Sequence, residues 1–305
     1  MVLKVAVGVI SYNSEKTVLE TLDSIINQTY GSNNLTLIIS DDGSSDGTVE
    51  VIKTWVKEHE LKFFKVITLF KVKNEGVSKN FNNVIYNCNT DWIKIIAADD
   101  ILMKDCIDKN IIFIGQKKSE HIIFSNVYKF KSISDTSSTQ LIKHNESFFN
   151  LDSCGQYRQL LKSCDLIAPS VFLYVNTIKK IGMANDAYSM IEDYPLWLKL
   201  TKNGIKLSYF NDETVYYRVS DSLSKNTEKI GNVKFLNCLE SIYKKEIWPN
   251  VNFIQVLDQK VMFFSKKITI YLFDNKKSKR SDVFYYCFAI LRPLKIVQVI
   301  QKVFK

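Results

Sequence analysis

The stretch IKIIAADDIL, residues 93–102, begins as a buried strand and ends in two adjacent carboxylates, Asp99 and Asp100. Neighbouring ionised acids repel, and burying either one unpaired is strongly unfavourable. A cation, or a polar ligand carrying one, removes the conflict. Hard oxygen ligands of this kind suit Mg2+ or Mn2+ held jointly with substrate phosphates. Taken alone, the pair also fits a helix cap followed by a surface acid, so its setting in the chain has to decide.

Upstream, the same strand-then-polar-loop pattern occurs three times. Residues 3–10, 35–40 (LTLIIS) and 63–70 (FFKVITLF) read as strands, each followed by polar punctuation and an amphipathic helix. Val18, Leu22, Ile25 and Ile26 mark the inner face of the first helix. Val49, Ile52, Trp55 and Val56 mark the second, with Asp46 as its cap, and Phe81, Val84, Ile85 and Cys88 mark the third. Near-continuous apolar strands alternating with such helices predict a parallel sheet covered on both faces. Ligands of these sheets sit beyond the carboxyl ends of the strands. The loops SYNS (11–14), SDDGSSDG (40–47), NEGVSKN (74–80) and AADD (97–100) therefore share one edge.

In SDDGSSDG, Asp42, Ser44, Asp46 and Gly47 fall at positions one, three, five and six of an EF-hand loop. Position twelve is Lys53 instead of the bidentate Glu, and the flanks are strand and helix, so a calcium loop is rejected. Asp41 or Asp42 can instead accept hydrogen bonds from a nucleobase or sugar, with Gly43 allowing close backbone approach. Downstream, helices are expected at 103–117 and from Asp193 to Gly204, and strands in HIIFSNVYKF, IKLSYF and TVYYRVS. Residues 132–140 read as a polar loop or hairpin, and the pattern from about 227 onward is helical.

Five segments in order, VGVISYNSEKTVLETLDSIINQTY, IISDDGSSDGT, NEGVSKN, IIAADDIL and IEDYPLWLKL, resemble the signatures of family 2 glycosyltransferases of the GT-A fold, over roughly residues 4–220. The resemblance implies a Rossmann-like α/β fold: a mixed, mainly parallel sheet flanked by helices, with a helical C-terminal extension. It implies a transferase domain over 1–225, divided into a nucleotide-binding half (1–100) and an acceptor half (101–225), followed by a basic helical region at 226–305. The loop of Ile10, Ser11, Tyr12 and Asn13, with Asp41 and Asp42, would hold the nucleotide, typically a uridine one. Asp99 would contact the nucleotide sugar, Asp100 the Mn2+ or Mg2+, and Asp193 would be the catalytic base, ahead of its neighbour Glu192.

Two departures stand out. The family often follows N-x-G-x-S with Arg and Asn; here Phe81 precedes Asn82, and Lys79 is the candidate replacement for the missing basic contact. Where many relatives show Tyr-Arg-x-His, this chain has Ser220 in place of the His, leaving Arg218 as the phosphate contact. The implied activity is inverting transfer of a sugar from a nucleotide sugar, UDP-linked by expectation, to a polyprenyl-diphosphate-linked or other saccharide acceptor. The overall type is bacterial surface polysaccharide synthesis, of the O-antigen or capsule kind. A non-catalytic nucleotide-sugar-binding or membrane scaffold protein is the alternative.

Composition narrows the remaining classes. Apolar residues make up 46% and charged residues 24%, which is a globular balance. The net charge of +9 is uneven: residues 251–305 carry eleven Lys or Arg against three Asp. Arg292, Lys295, Gln298, Lys302 and Lys305 step along one helical stripe, with KKSKR (276–280) upstream. An anionic membrane surface met through 276–305 is the expected partner. No nucleic-acid motif is present. The absence of G-x-G-x-x-G after the first strand argues against a dinucleotide oxidoreductase. Six cysteines in no metal or disulfide spacing are expected to be reduced. The chain opens directly into a strand, and no apolar run approaches a membrane span. A cytoplasmic protein, peripheral on the inner face of the cell membrane, is therefore expected.

Overall fold

Four apolar runs become four parallel strands whose ends are aligned. In the computed structural model, which describes residues 3–117, 119–131, 139–219 and 228–297, these are β1 (Val5–Ser11), β2 (Leu35–Asp41), β3 (Lys65–Phe70) and β4 (Trp92–Ala97). Further along lie β5 (Ile101–Leu102), β6 (Ile122–Phe130), β7 (Gln140–Ile142), β8 (Phe172–Tyr174) and β9 (Ser208–Arg218). All join one sheet of order β3-β2-β1-β4-β8-β6-β9-β5, with β7 paired to β6. Helices α1 (Val18–Ile26), α2 (Thr48–His59), α3 (Val77–Asn87) and α4 (Cys106–Gln116) follow β1, β2, β3 and β5. The short α5 (Glu146–Asn150), α6 (Ser153–Leu160) and α7 (Val175–Lys180) precede α8 (Asp193–Lys202).

Register carries the functional consequence. Ser11 pairs with Asp41, Ile10 with Ala97, and Asp41 with Phe70, so the carboxyl ends of β1 to β4 finish at one rim. Beyond β4 the sheet turns mixed. β8 runs antiparallel to β4, β6 antiparallel to β8, and β9 parallel to β6. β5 lies at the far end of this order, antiparallel to β9, with Ile101 opposite Tyr216. Yet only residues 98–100 separate β4 from β5. Three connecting residues reach roughly 14 Å at most, so the sheet must curl until β9 faces the end of β4. The Asp99–Asp100 loop bridges that closure.

The core follows the predicted stripes. Val18, Leu22 and Ile25 of α1, Ile52 and Trp55 of α2, and the inward residues of β1, β2 and β4 form one buried cluster. Complete burial of a side chain such as Leu22 contributes about 1.5–3 kcal/mol. Asp46 is not the cap residue of α2; that position is Gly47, and Asp46 accepts from the Thr48 amide one residue further out. IKLSYF and TVYYRVS, expected as separate strands, form the single strand β9, whose register with β6 shifts near Asn126. α8 starts at Asp193, with Pro195 in its first turn, where a missing N–H breaks no helical bond. It ends before Gly204, which sits at φ +83°. Of the polar segment 132–140, residues 132–138 lie outside the described residues, as do Ser220 and Gln298–Lys305.

Two compact units divide the chain, Met1–Val219 and Ser220–Lys305. The second holds α9 (Val233–Ile242), α10 (Phe253–Leu272) and α11 (Lys279–Ala289). The continuous basic stripe expected from Arg292 does not hold at its first member. α11 stops at Ala289, and the Arg292 guanidinium turns onto buried Asp258 of α10, with Nε donating at 3.0 Å. Among the described residues, no helix is long and apolar enough to cross a membrane.

Candidate active site

At the rim, four loops are fastened in series. The loop after β1 is laced to the loop after β2: the Asn13 amide donates to Ser44 Oγ at 2.8 Å, Ser45 N to Asn13 Oδ1 at 2.9 Å, and Ser14 N to Thr48 Oγ1 at 2.7 Å. Asn13 adopts φ +50°, a left-handed conformation that Asn tolerates better than most residues. Asp41 is fully buried and accepts from Ser11 Oγ at 2.8 Å and from the Ser44 amide at 2.8 Å. Asp42 holds the next loop: it accepts from Lys71 Nζ at 2.9 Å, Glu75 N at 3.2 Å and Gly76 N at 2.8 Å. Tyr12 stays exposed and Ile10 lies in β1 beside Ala97.

The third loop then grips the segment before α8. Val77 N donates to Ser189 O at 2.8 Å, and Ser78 Oγ donates to Tyr188 O. Gly76 is required there: its φ is +99°, and a Cβ would fall 2.3 Å from the Ser189 carbonyl oxygen. Glu192 and Asp193 follow within four residues. A series of clamps thus runs from the β1 loop to residues 188–189, four positions before Asp193.

The fourth loop, Asp99–Asp100, is fixed from two sides. Thr17 and Thr21 of the α1 region donate to the carbonyls of Ala98 and Asp100, at 2.8 and 2.7 Å. From β9, the Arg218 amide donates to Asp100 Oδ1 at 2.8 Å, and Arg218 Nε donates to the Asp99 carbonyl at 2.7 Å. Asp100 is 1% exposed, and its Oδ2 has no hydrogen-bond partner among the described residues. Burial, then repulsion from Asp99, pushes its pKa well above the usual carboxylate range, against the pull of Arg218 and Lys94. Asp99 is half-buried and raised chiefly by desolvation.

Lys94, in the middle of β4, is fully buried, and its Nζ is also without a partner among the described residues. Burial lowers its pKa to about 8, opposed by Cys106 and Asp100. A lone charge in the apolar run WIKIIA was the signal for it, overlooked because the run reads so clearly as a strand. At the start of α8, burial and then Asp193 raise Glu192 to about 8, while Asp193 itself is raised by desolvation. Tyr217 of β9 links the two acid pairs. Its hydroxyl is raised by burial and then by Asp100, Asp99 and Asp193, so one phenol feels both clusters.

The two proposed basic contacts are placed differently. Arg218 ion-pairs with Glu20 and stacks 4.4 Å from the centre of the Phe130 ring, which makes it a brace for the Asp99–Asp100 loop. No sequence pattern announces Glu20 as its partner. Lys79 lies on the exposed side of α3 and pairs with Glu75 at 3.3 Å. Asn82, in the departing part of NEGVSKNFN, ties α3 to the loop before α8 through Ala184, accepting from its amide and donating to its carbonyl, each at 2.9 Å.

Comparisons with known proteins agree with this architecture. The family described as Glycosyl transferase family 2 matches residues 6–167, and the chain belongs to that family. An Escherichia coli protein named UDP-Glc:alpha-D-GlcNAc-diphosphoundecaprenol beta-1,3-glucosyltransferase WfaP is 28% identical over 239 residues, covering 78% of this chain and 86% of the relative. Among solved structures, Staphylococcus aureus TarS 1–349 in complex with UDP-GlcNAc superposes with a TM-score of 0.60 at 16% identity, over 87% of this chain and 72% of that one. The mannosyltransferase PcManGT from Pyrobaculum calidifontis, in complex with GDP-Man and Mn2+, gives 0.53 at 13% identity, over 94% and 69%. At these identities the structural likeness establishes the GT-A fold alone.

Proposed function

We propose that this chain transfers a hexosyl group, with inversion, from a UDP-sugar to a saccharide carried on a polyprenyl diphosphate, in the synthesis of a bacterial surface polysaccharide. The observation that supports the reading best is Asp100 Oδ2, a buried carboxylate oxygen just past β4 with no hydrogen-bond partner among the described residues. The 28% identical relative, whose name specifies UDP-glucose and a diphosphoundecaprenol-linked acceptor, supports the substrate class.

Asp193 is the base. Its desolvated carboxylate has a raised pKa, which makes it the stronger proton acceptor, and Glu192 beside it retains a proton near neutrality. An acceptor hydroxyl gives its proton to Asp193 as its oxygen bonds to the anomeric carbon. The bond from that carbon to the diphosphate oxygen breaks on the opposite face, and the nucleoside diphosphate leaves. Asp41, Ser11 and the 10–13 loop form the wall for the nucleotide, and Asp99 the contact to its sugar. Asp100 fits a divalent cation, because its Oδ2 is buried with no hydrogen-bond partner among the described residues. Among the described residues, no group of three or more His, Cys, Asp or Glu could hold a metal. Substrate phosphate oxygens would share the cation with Asp100. When bound, Mn2+ or Mg2+ would offset the charge developing on the leaving diphosphate.

This reading places residues 1–100 as the nucleotide half and 101–225 as the acceptor half, with the basic region keeping the enzyme at the inner membrane face. A thermal-shift and calorimetric panel of UDP, GDP and TDP, with Mn2+ or with chelator, tests it. Stabilisation by UDP that disappears with chelator is expected. Equal silence toward every nucleotide overturns the reading.

A further inference from the structure

In the second unit, α11 separates its residues cleanly. Ser281, Phe284, Phe288 and Ala289 face inward: Ser281 and Ala289 are buried, Phe284 packs edge-on to Phe273 at 5.6 Å, and Phe288 meets Phe264 at 6.4 Å. The opposite face carries Val283, Tyr286 and Ile290, which are 62%, 63% and 61% exposed. Their spacing of three and four residues sets them in one row, and a separate helical turn at 293–297 exposes Leu294 and Val297. Surface residues this large and apolar, gathered on one helix, mark an interaction site.

Charge indicates the partner. At the amino end of the row, KKSKR places Lys276, Lys277, Lys279 and Arg280 in exposed positions. The acids beside them are Asp274, which pairs with Lys276 at 3.6 Å, Asp282, and Glu228, whose carbonyl accepts from the Lys277 amide at 2.9 Å. Between the row and the turn lies a shallow hollow of about 450 Å³, lined by Phe273, Lys279, Arg280, Val283, Phe284 and Cys287. Its floor is apolar and its rim carries the two cations. Arg292, by contrast, is engaged with Asp258 and contributes to folding the hairpin.

We propose that the outward face of α11, with the KKSKR turn, docks on an anionic bilayer: Val283, Tyr286 and Ile290 enter the interface, and Lys279 and Arg280 meet lipid phosphates. The inference deepens the membrane location within the proposed function and rests on it. A second copy of the chain is the competing occupant, and the measurements separate the two.

The full chain is sedimented with vesicles of phosphatidylcholine alone, or of phosphatidylcholine mixed with phosphatidylglycerol. Binding is expected to the mixed vesicles only and to weaken with salt. Ile290→Glu and the double change Lys279→Glu/Arg280→Glu should each lower it by roughly tenfold or more. Ile290→Leu should restore it, with far-UV circular dichroism and donor hydrolysis unchanged throughout. Wild-type binding that ignores all these substitutions overturns the α11 surface while leaving the membrane reading standing. Wild-type chain that binds neither vesicle overturns both, and leaves the transferase reading to its nucleotide test. A dimer in sedimentation velocity that Ile290→Glu dissociates, with no vesicle binding, assigns the face to self-association and overturns the proposal.

Discussion

Two pairs of adjacent acids act on one phenol, that of Tyr217, and differ in what surrounds them. Around Asp99–Asp100 the protein places cations: Arg218 donates its amide to Asp100, its guanidinium lies against the Asp99 carbonyl, and Lys94 lies buried nearby. Around Glu192–Asp193 no Lys or Arg is among the groups that shift either acid; burial, the neighbouring acid and backbone amides do. Burial raises the acids of both pairs, but only at Asp99–Asp100 do cations pull the other way, toward the ionised form that a metal needs. At Glu192–Asp193 only backbone amides oppose the desolvation, which favours a proton shared between the two acids. One side-chain type thus serves two roles by environment.

The largest effect that tests the contrast is expected at Asp193. Asp193→Asn should lower turnover by about 10²–10⁴-fold, the usual contribution of a general base. UDP affinity by calorimetry should stay within about twofold, since the nucleotide wall is untouched. A fall in affinity as large as the fall in turnover would assign Asp193 to donor binding instead and erase the distinction between the pairs. Next comes Asp100→Asn. It should abolish the gain in UDP affinity that Mn2+ confers, leaving the metal-free affinity in place. If the Mn2+-dependent gain survives, Asp100 is not the cation ligand.

How far this contrast could be read beforehand differs between the two halves of the first unit. Each of β1 to β4, six or seven residues long with four or five of them apolar, ended in a polar loop, so strand, helix and rim followed from the pattern alone. Register then did the rest, because parallel pairing that sets Val5 against Leu35 necessarily sets Ser11 against Asp41. Past Leu102 the strands are short or shared. β5 and β8, of two and three residues, leave no period to detect, and both exist because longer neighbours present edges to them. The resemblance implies a base at Asp193 but says nothing of what holds the chain before it: Gly76 closely approaches Ser189, a residue more than a hundred positions away. The EF-hand-like spacing of Asp42 to Gly47 arises from loop lacing: Asp42 and Asp46 both accept backbone hydrogen bonds.

Lys94, the buried cation near Asp100, has a thermodynamic signature of its own. Its pKa falls from an ordinary 10.5 to about 8 because the folded protein disfavours its charge. Below pH 8 the folded state must hold a buried ammonium, and the unfolded state holds a solvated one at no cost. At about 1.4 kcal/mol per pKa unit, Lys94→Met should stabilise the protein by about 3 kcal/mol at pH 7. The gain should shrink as pH rises from 8 and vanish above about 10.5, where the unfolded lysine is also neutral. Denaturant titrations across pH measure it. The same substitution removes a cation beside Asp100, so it makes the first acid pair resemble the second. A flat or negative change in stability would mean that Lys94 has a charged partner in solution.

The smallest effect on turnover is expected from Glu192→Gln, and it is the sharpest test of how the second pair shares its proton. Glu192 has a pKa raised to about 8 by burial and by Asp193, so near neutrality it already carries the proton that Gln mimics with its amide. Turnover at pH 7 should change by less than about threefold if Asp193 alone takes the acceptor proton. Stability should respond in the direction set by the raised pKa. The wild-type protein has its full contribution from protonated Glu192 below pH 4.5 and loses it as pH rises toward 8, because the unfolded state ionises first. Against that baseline, Glu192→Gln should be progressively more stable than wild type across this window and level off above it. A turnover loss at Glu192 equal to that at Asp193 would instead make the base a property of both carboxylates, and the proton-sharing pair a single catalytic unit.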